Sequence, residues 1–276
     1  MNRYLSTMFA RATTHCALFK PLPKPLPEPP TSPTSSAPGP YRDSRRDCNT
    51  QFIMFPGIST KDEELVDAVT AAVIKHMAHP IYDNSHDFEH VQRVVKLAAD
   101  IYQSEVATNP ECRLDPLTIV LACLVHEIGD AKYKTWFESL SKIYILLTKC
   151  GVPEALAHTC QSIARLVSYT YETRHPAEIA SFLTAHPELG VVQDADRLDA
   201  LGIVGLGRCL AYGGAEKTRR KQTIQRAFQL MDERFVHYKD MMKTPWGRDE
   251  AHRRWGRMEE VREVWIGETD VAGILK

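Results

Sequence analysis

The sequence predicts an all-α protein, and three observations carry that prediction. From Ser59 onward apolar residues recur at the helical period, helix-start signals precede several of the apolar runs, and no run alternates convincingly at period two. A single helical domain over residues 59–268 follows, with no internal repeat.

The elements can be taken in chain order. In "STKDEELVDAVTAAVIKHM" Thr60 and Glu63 form a capping box, and Leu65, Val69, Val73 and Met77 follow the helical period. "SHDFEHVQRVVKLA" is an amphipathic helix in which His90 lies above Val94, Leu97, Ala98 and Ile101, so its imidazole points to the core. His86 lies one turn earlier on the same side. "DPLTIVLACLVHEIG" has proline in its first turn and is apolar all round, which predicts a central buried helix stopped by Gly129. "TWFESLSKIYILLTKCG", "PEALAHTCQSIARLVSY", "DADRLDALGIVGLGRCLAY", "TIQRAFQLMDERFVHYKDMM" and "RDEAHRRWGRMEEVREVWI" complete the helices.

Residues 1–50 are of another kind. "KPLPKPLPEPPTSPTSSAPGP" cannot bury enough apolar surface to offset its ordering entropy, so a disordered or polyproline-like extension is expected. Ahead of it, "MNRYLSTMFARATTHCALFK" has arginines and hydroxyl residues and no acid before Glu28. That composition fits either a mitochondrial transit segment or an unselected extension with Met54 as the functional start.

Composition narrows the function classes. The 276 residues are 43% hydrophobic and carry a net charge of −1, so no global field attracts nucleic acid or an acidic membrane. No apolar stretch reaches about 18 residues, the length of a membrane span. The seven cysteines include no CxxC pair and read as thiols in a reducing, intracellular compartment, cytoplasmic or mitochondrial.

Function must therefore lie in a site. "LVHEIGD" puts His126 and Glu127 at the end of the most buried helix, with Asp130 beyond Gly129. Burying Glu127 unpaired costs several kcal/mol, which a divalent cation would offset. "VVQDADRLDALG" adds Asp194, Asp196 and Asp199 with Arg197 in an otherwise apolar segment, and again calls for a cation.

These pieces, in this order, resemble the HD-domain metal-dependent phosphohydrolase superfamily, and within it the single-domain branch that includes bacterial nucleotide pyrophosphohydrolases. The resemblance rests on "HDFEHVQRV", "LVHEIGD" and "DADRLDALGIVGLGR", extends to "AYGG" and "TPWGRDEAHRRWGRMEEV", and covers about Lys61 to Ile266. It implies an HD-domain helical bundle in which His90, His126, the residue at 127 and Asp196 bind one divalent metal, Mn²⁺, Mg²⁺, Fe²⁺ or Co²⁺. At 127 the chain has glutamate where the family has aspartate; the extra methylene moves the carboxylate by about 1.5 Å unless the helix end retreats.

The implied reaction is phosphoester or phosphoanhydride hydrolysis. The nearest branch implies a nucleoside or deoxynucleoside triphosphate cleaved to monophosphate and pyrophosphate, with a nucleotide monophosphatase as the competitor. Asp130 is the candidate to orient or deprotonate the attacking water, or else an ordinary turn aspartate. His86 is the candidate acid toward the leaving group, or else an N-terminal cap. Arg93, Lys132 and Arg197 are candidates to neutralise phosphates, or else salt-bridged, and Tyr212 enters a nucleotide pocket only through the resemblance.

The expected partner is a small phosphorylated molecule, with no nucleic acid and no membrane. Trp246, Trp255 and Trp265 read as core or interface anchors, which leaves a homodimer open. "GIVGLGR" follows no strand, so its glycines are assigned to close helix packing, and "KTRRK" at 217–221 to a solvated helix start. Two other classes stay open. A dinuclear HD phosphodiesterase or oxygenase would need two further histidines, for which only His158, His175 and His186 are available. A non-catalytic HD-fold binding protein is favoured only by Glu127.

Overall fold

The computed structural model describes residues 54–109, 111–128, 136–215 and 223–274. The expectations for residues 1–50, Gly129, Asp130, Lys132 and residues 217–221 fall outside them. The described residues lie within the unit Thr50–Lys276 and contain helices and no strand. The helices are α1 (Thr60–Met77), α2 (Phe88–Thr108), α3 (Pro116–Val125), α4 (Trp136–Lys149), α5 (Glu154–Leu166), α6 (Tyr169–Arg174), α7 (Pro176–Ala185), α8 (Glu188–Asp199) and α9 (Gly202–Ala215). They are followed by α10 (Arg226–Leu230), a π-helical turn (Met231–Phe235), α11 (Val236–Tyr238) and α12 (Pro245–Glu268). None is long and apolar enough to cross a membrane.

The all-apolar run is the centre of the bundle, as its composition requires. Thr118 to Val125 are all buried, and α3 packs on α1, α2, α5 and α8. Each fully buried Leu, Ile or Val there contributes about 1.5–3 kcal/mol. Cys123 and Cys160 sit in this core, where burial pushes both thiols up, Cys160 to about 12. Of the tryptophans, Trp255 is buried, and Trp246 and Trp265 pack against the core from its edge.

Local chemistry moves several element ends from where the sequence puts them. The cap of α1 is Ser59, whose Oγ accepts from Asp62 N, one residue before the expected Thr60–Glu63 box. Helix α2 begins at Phe88 because Asp87 caps it, accepting from His90 N, so His86 lies ahead of the helix and does not cap it. Helix α3 ends at Val125, short of Gly129. There His126 Nδ1 takes the Cys123 carbonyl at 2.7 Å, the acceptor that a further α-helical turn would give to residue 127.

"DADRLDALGIVGLGR" is two helices. The chain turns at Gly202, whose φ of 77° favours glycine, and a Cβ on Gly205 would lie 2.2 Å from the Ala200 carbonyl carbon. Gly207 has open space where a Cβ would go, so close packing does not explain it. Helix α2 packs most extensively on α8, which brings the two motif helices face to face. Asp194 of α8 also anchors the start of α12, accepting from Lys243 N, Thr244 N and Thr244 Oγ. At Gly247 a Cβ would lie 2.6 Å from Thr244 Oγ and 2.7 Å from Asp194 Oδ2, so only glycine fits this socket.

Candidate metal centre

Where α2, the end of α3 and α8 meet, His90, His126, Glu127 and Asp196 each turn one ligand atom to a common point. The four atoms lie within 4.8 Å of one another, and this is the only such group among the described residues. His90 Nε2 is 3.2 Å from His126 Nε2, 3.3 Å from Glu127 Oε1 and 3.5 Å from Asp196 Oδ1. His126 Nε2 is 3.6 and 3.8 Å from the same two oxygens. Donors held about 2.1 Å from a shared cation sit about 3.0–3.4 Å apart, close to this spacing.

The hydrogen bonds around the donors show why they suit a cation. His126 Nδ1 faces the Cys123 carbonyl, which can only accept, so Nδ1 carries the proton and Nε2 presents a lone pair. His90 Nδ1 faces Asp199 Oδ2 at 2.8 Å, with the same consequence. Two lone pairs and two carboxylate oxygens thus converge in a place where His90 is fully buried and Glu127 nearly so. Such a set needs positive charge. In protein stripped of metal a proton supplies it. Burial disfavours a charged His90, but Asp196, Asp199 and Glu127 outweigh burial and push it up to about 10. Asp196 is held well below the usual carboxylate range by His90 and His126, against burial, which raises it.

The three aspartates of the "DADRLD" run divide the work. Asp194 anchors α12, Asp196 joins the donor cluster, and Asp199, 1% exposed, orients His90. Asp199 also accepts from Arg93 Nε at 2.8 Å and Arg93 Nη2 at 3.2 Å, and forms an ion pair with Arg208 Nη1 at 3.0 Å. Burial raises this carboxyl, and its bonds to His90 and Arg93 and the charge of Arg208 bring it below its ordinary value.

A cavity of about 670 Å³ opens against the cluster, with His126, Glu127 and Asp196 on its near side. Of the other residues singled out in the sequence, His86, Arg197 and Tyr212 line it, and Tyr212 packs edge-on to the His86 ring. Arg93 is engaged by Asp199. Arg197 is 1% exposed and pairs through Nη2 with Glu172, while its Nε and Nη1 have no hydrogen-bond partner among the described residues. Asp130 and Lys132 lie outside the described residues. His158 stacks on Tyr144, His175 lies between α6 and α7, and His186 ends α7, so none of the three joins the cluster.

The far wall had no signal in the sequence. Tyr169 and Tyr171 of α6, Arg234 and Phe235 of the π turn and Tyr238 of α11 gather there in the lining of the cavity. The Arg234 guanidinium lies 4.9 Å from the Tyr169 ring centroid, and its Nε donates to Tyr238 Oη at 2.6 Å. Arg208 was equally overlooked, although it closes the "DADRLDALGIVGLGR" motif.

An all-helical bundle with this His, His-Glu, Asp cluster defines the class, a metal-dependent hydrolase of HD type. No family model matches the chain. It is 33% identical to YpgQ of Bacillus subtilis over 193 residues, 69% of this chain and 87% of that one. The chain therefore belongs to the HD-domain family of YpgQ. The crystal structure of YpgQ superposes with a TM-score of 0.57 at 25% identity, covering 76% of this chain and 98% of that one. An HD-superfamily hydrolase from Bacillus thuringiensis gives 0.53 at 25% identity, with 76% and 98% covered. YpgQ in complex with ADP gives 0.56 at 24% identity, with 75% and 96% covered.

Proposed function

We propose that the chain hydrolyses nucleotides, cleaving a nucleoside or deoxynucleoside triphosphate to the monophosphate and pyrophosphate with one divalent cation at His90, His126, Glu127 and Asp196. The observation that carries this reading is the position of the cluster, in a cavity also lined by Arg197, Arg208, Arg234 and several tyrosines. A cation held there supplies Lewis acidity and a bound water of lowered pKa.

The remaining roles belong to side chains. Glu127 fits as a ligand because its Oε1 lies as near to His90 Nε2 as Asp196 Oδ1 does. Arg208 and Arg197 bring positive charge to the cavity, which suits a phosphate chain. The rings of Tyr169 and Tyr238, with the Arg234 guanidinium over Tyr169, suit a base. His86 is the candidate proton donor to the leaving oxygen, and Asp130 the candidate to orient water. That YpgQ binds ADP supports a nucleotide as the ligand class.

The test is a screen of ribo- and deoxynucleotides with Mn²⁺, Mg²⁺ and Co²⁺ that resolves phosphate from pyrophosphate. Pyrophosphate release from triphosphates is expected. Phosphate release from monophosphates would replace the reading with a phosphatase, and no turnover with any metal would end it.

A further inference from the structure

We propose that Asp83 and Ser85 form a positioning relay that holds His86 in a single tautomer, with Nδ1 protonated and Nε2 the nitrogen that serves the cavity. The tautomer is inferred from the relay's own geometry; only its catalytic consequence rests on the reading of His86 as proton donor.

Asp83 Oδ1 accepts from Ser85 N at 2.9 Å and also from Ser85 Oγ in a short hydrogen bond. A serine hydroxyl has one proton, and a carboxylate oxygen takes it. What Oγ has left are lone pairs, and it faces His86 Nδ1 at 2.7 Å. Nδ1 must therefore bring the proton to that bond. In the neutral ring this leaves Nε2 without one, able to take a proton and then pass it on. Ser85 is 1% exposed, so little water competes for its hydroxyl.

The relay is tied to the metal centre from behind. The Ser85 carbonyl accepts from Arg208 Nε at 2.7 Å, Arg208 Nη1 pairs with Asp199, and Asp199 orients His90. The His86 and His90 rings stand 6.0 Å apart, centroid to centroid. Three histidines at this end of the cavity thus share one plan: each is anchored at Nδ1, by a carboxylate, a carbonyl or a hydroxyl.

The experiment uses the full chain with Mg²⁺ and ¹⁵N-labelled histidine. Long-range ¹H–¹⁵N correlations report the tautomer, His86 being assigned by the signals lost in His86→Gln and read at a pH where those signals show a neutral ring. The parent should show Nδ1–H. Ser85→Ala should move the ring toward Nε2–H and lower kcat by about 10- to 100-fold with KM within about twofold, and Ser85→Thr should restore both. Asp83→Ala, which keeps Ser85 but frees its hydroxyl proton, should shift the tautomer in the same direction and guards against a Ser85→Ala chain that does not fold. An Nε2–H ring in the parent, or an unchanged tautomer in the folded variants, would overturn the relay. If the parent shows Nδ1–H but turns over no nucleotide, the relay stands and the nucleotide reading fails.

Discussion

On the α2–α3–α8 side of the cavity both histidine donors are held at their other nitrogen, His90 by Asp199 and His126 by the Cys123 carbonyl, and Asp199 is held in turn by two arginines. On the opposite side the contacts are mostly faces of rings. Arg234 lies over Tyr169, the centroids of Tyr169 and Tyr238 are 5.1 Å apart, and the supporting elements are α6, α11 and a π turn, all short. Directional bonds fix one geometry, whereas tilted ring contacts slide with little loss. The near wall is thus built to hold reacting groups in place, and the far wall to accept a range of flat ligands.

The largest expected effect of breaking the near wall comes from Glu127→Ala, which removes a charged oxygen from the cation's surroundings. It should reduce hydrolysis to the metal-free rate and abolish Mn²⁺ binding in calorimetric titration. Glu127→Asp should keep metal binding and measurable activity. A Glu127→Ala chain that binds and turns over like the parent would move the ligand role from Glu127 to Asp130, since both oxygens of Asp194 are engaged at the start of α12. Next in size is Asp199→Asn, which leaves every donor in place but loosens His90 and should weaken metal binding by about 10- to 100-fold. The far wall should respond differently. Tyr169→Ala should raise KM by about tenfold with kcat within a few-fold, because it removes a stacking face and no reacting group.

The pH response sharpens the same contrast, with a smaller effect. In metal-stripped protein the folded value of His90, about 10, lies above the roughly 6.5 of an unfolded chain. Its stabilisation is therefore complete below about pH 6.5 and is lost as pH rises toward 10. EDTA-treated protein should melt lower at pH 9.5 than at pH 6.5, and His90→Gln should flatten that slope. Mn²⁺ affinity should rise over the same interval as the competing proton leaves. The smallest effect is expected from a chain beginning at Met54, which should match the full chain in melting temperature and activity if residues 1–50 stand apart from the fold.

The near wall was legible because its donors sit in short runs with recognisable spacing. Even there, "DADRLD" offered three equivalent aspartates. Their partners, Thr244 for Asp194, His90 for Asp196, and His90 and Arg93 for Asp199, lie 50 or more positions away along the chain. At His86 the helical period of the sequence continues further than the helix itself, because the Asp87 side chain caps the helix and starts it at Phe88. The far wall could not be read at all. Arg234 meets Tyr169 across 65 positions and through a π turn, and neither leaves a local pattern of polarity.

The glycine socket at the start of α12 has a mechanical consequence. Asp194 clamps that helix from a position two residues before Asp196, so a push on α12 is delivered to the carboxylate that faces the metal site. Gly247 is where such a push would begin, since even a methyl group there drives Thr244 and Asp194 apart. The long C-terminal helix thereby works as a gauge block, setting the depth to which α8 is seated.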